Sequence, residues 1–159
     1  MQMFRATGRP RLLPLSVAYS VTHKCNARCK TCGLGASGAA GGELDTAEWM
    51  RVFKSLGNSP VWLTVTGGEP FLRADLMELC RGMLDAAQPR IISIVTNGSM
   101  PDRVSLIAPL LAREYPDTRF VINISIDGIG PAHDRIRKLD GCFDSALETF
   151  HALKRKQPK

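Results

Sequence analysis

The chain has 159 residues, the length of one domain, with 44% hydrophobic residues and a formal charge of +6. That composition excludes a disordered chain and leaves anionic partners to be tested. Seven of the 21 basic residues (Arg5, Arg9, Arg11, Lys154, Arg155, Lys156, Lys159) lie in two ends without a carboxylate, leaving 14 basic against 15 acidic residues between them.

Residues 1–11 and 154–159 therefore read as basic, solvated tails around a near-neutral core, 12–153. No aromatic platform interleaves the charge, which argues against nucleic acid. No stretch approaches a membrane span in length. Leu12 to Ala18, behind the arginines, imitates a short signal peptide, but Pro14 and Ser16 interrupt it and it reads as the approach to a strand. Five cysteines are an odd number, unsuited to a closed disulfide framework, and point to a reducing, cytoplasmic setting.

In chain order, Leu15–Thr22 mixes β-branched and apolar residues and predicts a buried strand. Residues 33–42 form a glycine-rich loop that needs a ligand or neighbour to fix its shape. Asp45-Thr46-Ala47-Glu48 is a capping box opening a helix with Trp49, Val52, Phe53 and Leu56 on one face, closed by Gly57-Asn58. Val61–Thr66 is the second strand and exits into Gly67-Gly68-Glu69-Pro70. A second helix carries Leu76, Leu79, Cys80, Met83 and Leu84 inward, with Cys80 as a core residue.

Ile91–Val95 is the third strand, with Thr96-Asn97-Gly98 as its exit. Pro101 suits the first turn of a third helix with Val104, Ile107, Ala108 and Leu111 inward, and Pro109 is expected to kink or shorten it. Phe120–Ile126 is the fourth strand, leaving into Asp127-Gly128. A helical piece over Pro131–Lys138 precedes a fourth helix, Asp144–Lys156, with Leu147, Phe150 and Leu153 inward. Cys142 falls in a turn and reads as a spare thiol.

Four strand–helix units in a row predict parallel strands joined by right-handed crossovers, with helices on one or both faces. In such folds the loops at the C-terminal strand ends build the site. His23-Lys24-Cys25-Asn26-Ala27-Arg28-Cys29-Lys30-Thr31-Cys32 places three thiols at C-x3-C-x2-C spacing after strand one. Structural zinc would need four closed ligands, with His23 as the fourth. An iron–sulfur cluster accepts thiolates at short spacing and would keep one iron without a protein ligand. A zinc site would not require the signals after strands two, three and four, which fall on the same rim. A non-enzymatic iron–sulfur or zinc protein, for electron transfer or structure, is the alternative reading.

With CNARCKTC, GGEP, TNG and SIDG in this order, the chain from about Leu15 onward resembles the radical S-adenosylmethionine (SAM) superfamily. The likeness is to the branch of the molybdenum-cofactor cyclase and the peptide-maturing enzymes with an extra C-terminal cluster domain. The resemblance implies an α/β partial TIM-type barrel, with four of six expected strand–helix units present in this sequence. It implies a [4Fe-4S] cluster on Cys25, Cys29 and Cys32, whose free iron is chelated by the amino and carboxylate groups of SAM. Gly67, Gly68, Glu69 and Pro70 match the motif that receives the SAM amino group, with Glu69 as acceptor for the ammonium.

Thr96, Asn97 and Ser125 would line the SAM site, with Asp127 and Arg137 as further candidates. Arg137 would face the SAM carboxylate or pair with Asp134. The family usually carries an aromatic before the third cysteine, where this chain has Thr31. The chemistry implied is reductive cleavage of SAM to a 5′-deoxyadenosyl radical that takes hydrogen from a substrate, a peptide or small molecule. An external reductant of flavodoxin or ferredoxin type would supply the electron. No catalytic side chain is named, and fold and cofactor do not fix the substrate. The outer edge of the fourth strand, without the neighbour a full barrel provides, is expected to promote self-association.

Overall fold

The computed structural model describes residues 14–34 and 42–156. The N-terminal basic tail, most of the glycine-rich loop and Lys159 lie outside the described residues. Four strands alternate with helices: β1 (Ser16–Thr22), α1 (Thr46–Leu56), β2 (Trp62–Gly67), a 3₁₀ turn (Pro70–Leu72), α2 (Leu76–Ala87), β3 (Ile91–Thr96), α3 (Pro101–Glu114), β4 (Arg119–Ile124), α4 (Pro131–Arg137) and α5 (Cys142–Lys156). All strand pairs are parallel and the order is β1-β2-β3-β4, so sequence neighbours are spatial neighbours. Every strand therefore ends on the same rim.

Side chains alternate across a strand, so only one face of this sheet has to be apolar. Tyr19, Val21, Leu63, Val65, Ile92 and Ile94 are buried with Phe53, Leu79, Met83, Val104 and Leu111 from the helices. Ser16, Ala18, Ser20 and Trp62 on the opposite face are exposed. The helices thus cover one face, as in a barrel wall, and β1 is a half-buried strand rather than a fully buried one.

The capping box forms as expected. The Asp45 carboxylate accepts from Glu48 N at 2.7 Å, and Asp45 N donates to Glu48 Oε2 at 2.9 Å. Helix α3 departs from expectation, running through Pro109 for 14 residues. Proline removes the N–H that would bond the Ser105 carbonyl one turn back. That carbonyl instead accepts from Lys156 Nζ at 2.8 Å, which tethers the end of α5 to α3. The last turn of α5 is thereby docked, so Lys154–Lys156 are helix rather than tail.

Helix α5 is the second departure. It starts at Cys142, and its buried side chains are Cys142, Ala146, Thr149 and Ala152. Leu147 and Phe150 point outward, 40% and 52% exposed, and of the three residues expected inward only Leu153 packs on the core. Small residues win that face because α5 lies close over the β3 exit. Thr149 Oγ1 donates to Gly98 O at 2.7 Å, and a Cβ on Gly98 would sit 2.9 Å from Ala146 Cα. Large side chains do not fit there.

Candidate functional site

The rim is stitched together by backbone before any side chain acts. Gly68 N donates to Thr22 O at 2.7 Å and Glu69 N to Lys24 O at 2.8 Å, which pins the β2 exit against the root of the cysteine loop. A Cβ at Gly67 would lie 2.2 Å from Thr22 O, and one at Gly68 would lie 2.1 Å from Lys24 O. The two glycines are therefore required by the neighbouring strand's backbone, whatever they also offer to a ligand. Behind this seam the Glu43 carboxylate accepts from Thr22 Oγ1 and His23 N, at 2.9 and 2.7 Å. His23, the candidate zinc ligand, has an exposed side chain.

The cysteine loop is held from the far side by the fourth unit. Arg28 N and Lys30 N donate to the carbonyls of Arg137 and Ile136, at 3.1 and 2.9 Å. These are carbonyls that the end of a helix leaves without intrahelical partners. A side-chain ring adds to this: Asn97 Nδ2 donates to Asn26 Oδ1, Asn26 Nδ2 to Ser99 Oγ, and Ser99 N to Asn97 Oδ1. Asn26, between the first two cysteines, thus ties their loop to the β3 exit.

Glu69 is fully buried. Its carboxylate accepts from Phe71 N at 3.1 Å, Thr96 Oγ1 at 2.9 Å and Asn97 N at 2.7 Å. Burial raises its pKa, outweighing these donors and the Arg137 charge, which act to lower it. Every partner is a donor, so the ionised form is the one the geometry fits. Arg137 pairs with Asp127, Nε to Oδ2 at 2.8 Å, and its Nη1 lies 3.8 Å from Cys29 Sγ. The alternative pairing with Asp134 is not formed, because that carboxylate caps α5 by accepting from Gly141 N and Phe143 N.

These elements enclose one cleft of about 230 Å³, lined by Cys25, Cys29, Cys32, Thr31, Gly67, Gly68, Thr96, Asn97, Ser125, Asp127 and Arg137 among others. Ten of the twelve candidate residues thus share one cavity wall. Glu69 and Pro70 are the exceptions: they are buried and do not line the cleft.

All five cysteines are free thiols. Burial raises the Cys25 pKa, the Ala27 amide lowers it, and Glu69 and the other two thiols raise it further. A thiol whose ionisation its neighbours oppose, as at Cys25, suits a cationic centre. Among the described residues no three Cys, His, Asp or Glu side chains converge as ligands of a single metal ion. A cluster takes each thiolate on a different iron, whereas structural zinc needs four donors on one ion.

Cys80 is buried in α2, its pKa pushed up to about 12 by burial. Cys142 is also buried and pushed up to about 11, first by burial. It opens α5 rather than falling in a turn, and its Sγ lies 3.9 Å from Asn97 O, beneath the rim. Sequence patterns had singled out neither Asn26, Glu43 nor Ser99. For Asn26 a signal existed, an amide inside the cysteine spacing.

Fold and site together define an α/β protein with a thiol-lined cleft at the C-terminal ends of its parallel strands. The chain belongs to the Radical SAM superfamily, whose profile its residues 19–159 match. Membership implies a [4Fe-4S] cluster and SAM as cofactors. The chain is 33% identical over 158 residues to the pre-heme d1 synthase of Dinoroseobacter shibae, covering 95% of this chain and 35% of that protein. It is 32% identical over 139 residues to the Fe-coproporphyrin III synthase of Methanosarcina barkeri, covering 85% of this chain and 33% of that protein. The chain thus spans about a third of the length of these curated relatives. Among solved structures, Streptococcus suis SuiB bound to its precursor peptide SuiA superposes with a TM-score of 0.75 over 99% of this chain and 34% of that one, at 14% identity. That likeness is one of fold. No helix among the described residues is long and apolar enough to cross a membrane.

Proposed function

We propose that this chain is the cofactor-holding portion of a radical SAM enzyme, binding a [4Fe-4S] cluster through Cys25, Cys29 and Cys32 and SAM in the adjoining cleft. The observation that carries this reading is the single cavity shared by three free thiols and residues from all four strand exits. When bound, the pair supplies a 5′-deoxyadenosyl radical that removes hydrogen from a substrate. The chain's own residues bind and orient. Gly67 and Gly68 give the methionine amino group a wall with the Glu69 charge buried behind it. The Arg137 guanidinium, held by Asp127, suits the SAM carboxylate. Thr96, Asn97 and Ser125 form the side of the cleft between them, and exposed Thr31 leaves the adenine side without an aromatic.

A flavodoxin or ferredoxin type reductant completes the reading. The relatives' names divide between haem synthesis and bacteriocin biosynthesis, and a haem-type small molecule and a peptide both stand as substrate classes. The outer edge of β4 has no strand partner among the described residues, and association through it is part of the proposal.

The test is anaerobic reconstitution followed by iron and sulfide analysis. Cys25→Ala, Cys29→Ala and Cys32→Ala proteins should lose the cluster, while Cys80→Ala and Cys142→Ala keep it. With strong reductant, the parent should form 5′-deoxyadenosine from SAM. Full cluster content in the Cys29→Ala protein, or stoichiometric zinc in the native one, overturns the assignment.

A further inference from the structure

The motif His133-Asp134-Arg135-Ile136-Arg137 contains a histidine that the cofactor reading leaves without a role. His133 lies in the first turn of α4 and is fully buried. Its Nδ1 accepts a hydrogen bond from Asp127 N at 3.0 Å. An imidazole nitrogen that accepts carries no proton, so the ring is neutral and its proton sits on Nε2. Nε2 is buried and has no hydrogen-bond partner among the described residues. The Phe143 ring stands 5.9 Å away, tilted against the imidazole. A buried donor without a partner costs stability, and the Nδ1 bond is the one hydrogen bond the ring makes among the described residues.

That bond falls on a residue of the site. Asp127 follows β4, and its carboxylate forms an ion pair with Arg137, Oδ2 to Nε at 2.8 Å, a charge contact without hydrogen-bond geometry. Arg137 stands four residues after His133, on the same side of the same helix. The other end of its guanidinium, Nη1, lies 3.8 Å from Cys29 Sγ. His133, Asp127, Arg137 and Cys29 thus form one continuous chain of contacts from the core to the thiol loop. Its midpoint, Asp127, lies within an otherwise irregular segment, residues 125–130. Among the described residues, the bond to His133 is the one the Asp127 amide makes, and it fixes the backbone from which the carboxylate projects.

We propose that His133 is a positioning residue: as the neutral Nε2–H tautomer it fixes Asp127, and through Asp127 it aims the Arg137 guanidinium at Cys29. A cationic donor beside a cluster-ligating sulfur stabilises the more negative, reduced cluster, so loosening it lowers the reduction potential. The potential arm of this proposal rests on the cluster reading above; the His133–Asp127 bond does not.

The experiment therefore has two arms. In the apo protein, ¹⁵N NMR of the imidazole should find Nδ1 unprotonated and Nε2 protonated, and hydrogen exchange should find the Asp127 amide protected. His133→Asn keeps an acceptor where Nδ1 stands and should retain that protection. His133→Gln and His133→Leu do not, and should exchange at least tenfold faster at Asp127. In reconstituted protein, His133→Gln and His133→Leu should lower the cluster's midpoint potential while His133→Asn stays with the parent. Arg137→Gln should lower it too with Asp127 still protected, because Arg137 lies downstream.

A protonated Nδ1 in the parent overturns the proposal, as does identical behaviour of the Asn and Gln variants. So does a potential that moves in Arg137→Gln but not in His133→Gln. Should the Leu variant fail to fold, the Asn and Gln pair and the parent's tautomer decide the matter. A parent that takes up no cluster sinks the functional reading instead, and the apo arm then decides the His133 proposal alone.

Discussion

Replacing Glu69 by alanine should damage the fold at the rim, beyond any loss of ligand affinity. The side chain is fully buried and its two oxygens accept from two backbone N–H groups and one hydroxyl. Truncation leaves Phe71 N, Asn97 N and Thr96 Oγ1 facing a hole. A hydrogen bond to a charged acceptor contributes about 1.5–3 kcal/mol, and each buried donor left unsatisfied costs on the order of 1–3 kcal/mol. The Thr96 hydroxyl can turn to another acceptor and the cleft admits water nearby, so the costs do not simply add. A net loss of about 3–5 kcal/mol follows, in the range for removing one partner of a buried charged network.

Glu69→Gln separates charge from shape. It keeps an oxygen for two of the donors but turns an NH₂ toward the third, so about 2 kcal/mol is expected. Denaturant unfolding of the apo protein measures both without cofactor. SAM titration into folded, reconstituted Glu69→Gln then isolates the ligand's share. An alanine variant within about 1 kcal/mol of the parent would refute the reasoning. It would mean that the three donors find water or new partners freely.

The remaining predictions concern the seams around the cleft. Gly68→Ala places a Cβ 2.1 Å from Lys24 O and should cost about 3 kcal/mol, with faster alkylation of the three loop thiols as the β1 and β2 exits part. Arg73 grips Asp75 with two N–H groups at 2.8 and 2.7 Å and holds its pKa down to about 2, with the Thr46 hydroxyl assisting. This stability is present above the ordinary aspartate value and lost as pH falls through about 2. Unfolding between pH 5 and pH 2 should therefore show a decline of about 2 kcal/mol that Asp75→Asn lacks. Lys156→Ala should cost about 1 kcal/mol by stripping Ser105 O of its donor. In a Pro109→Ala background, where the helix supplies its own N–H, a double-mutant cycle should find that cost gone.

The order of elements was legible because periodicity, caps and strand exits all pointed to the same alternation. The thiols, the glycines and the Thr96-Asn97 turn were legible because their residue types are unusual at strand ends. Helix α5 was misread because a hydrophobic stripe of Leu147, Phe150 and Leu153 outweighed a stripe of small residues. Only the proximity of Gly98, a tertiary fact, shows why small residues face inward. Pro109 was misread for a similar reason: the lysine that satisfies the freed carbonyl lies 47 positions later in the chain. For Arg137 the nearer carboxylate in sequence, Asp134, is already engaged as a helix cap, which no spacing reveals.

The cysteine loop shows most clearly what spacing could not convey. In the sequence it simply follows β1. In the structure its amides rest on the carbonyls at the end of α4, its Asn26 on the β3 exit, and its root on Gly68 and Glu69. The α4 contacts come from more than a hundred residues further along the chain, so the loop is closed only once the fourth unit has docked. Loop-closure entropy makes such contacts late to form, whereas the β1–β2 seam is nearer in sequence. Removing residues from Pro131 onward should therefore leave a sheet with a loosened thiol loop. Amide exchange would detect this as lost protection at Arg28 and Lys30 with protection kept in β2. Retained protection at both amides would mean that the loop holds its shape from β1 and its neighbours alone.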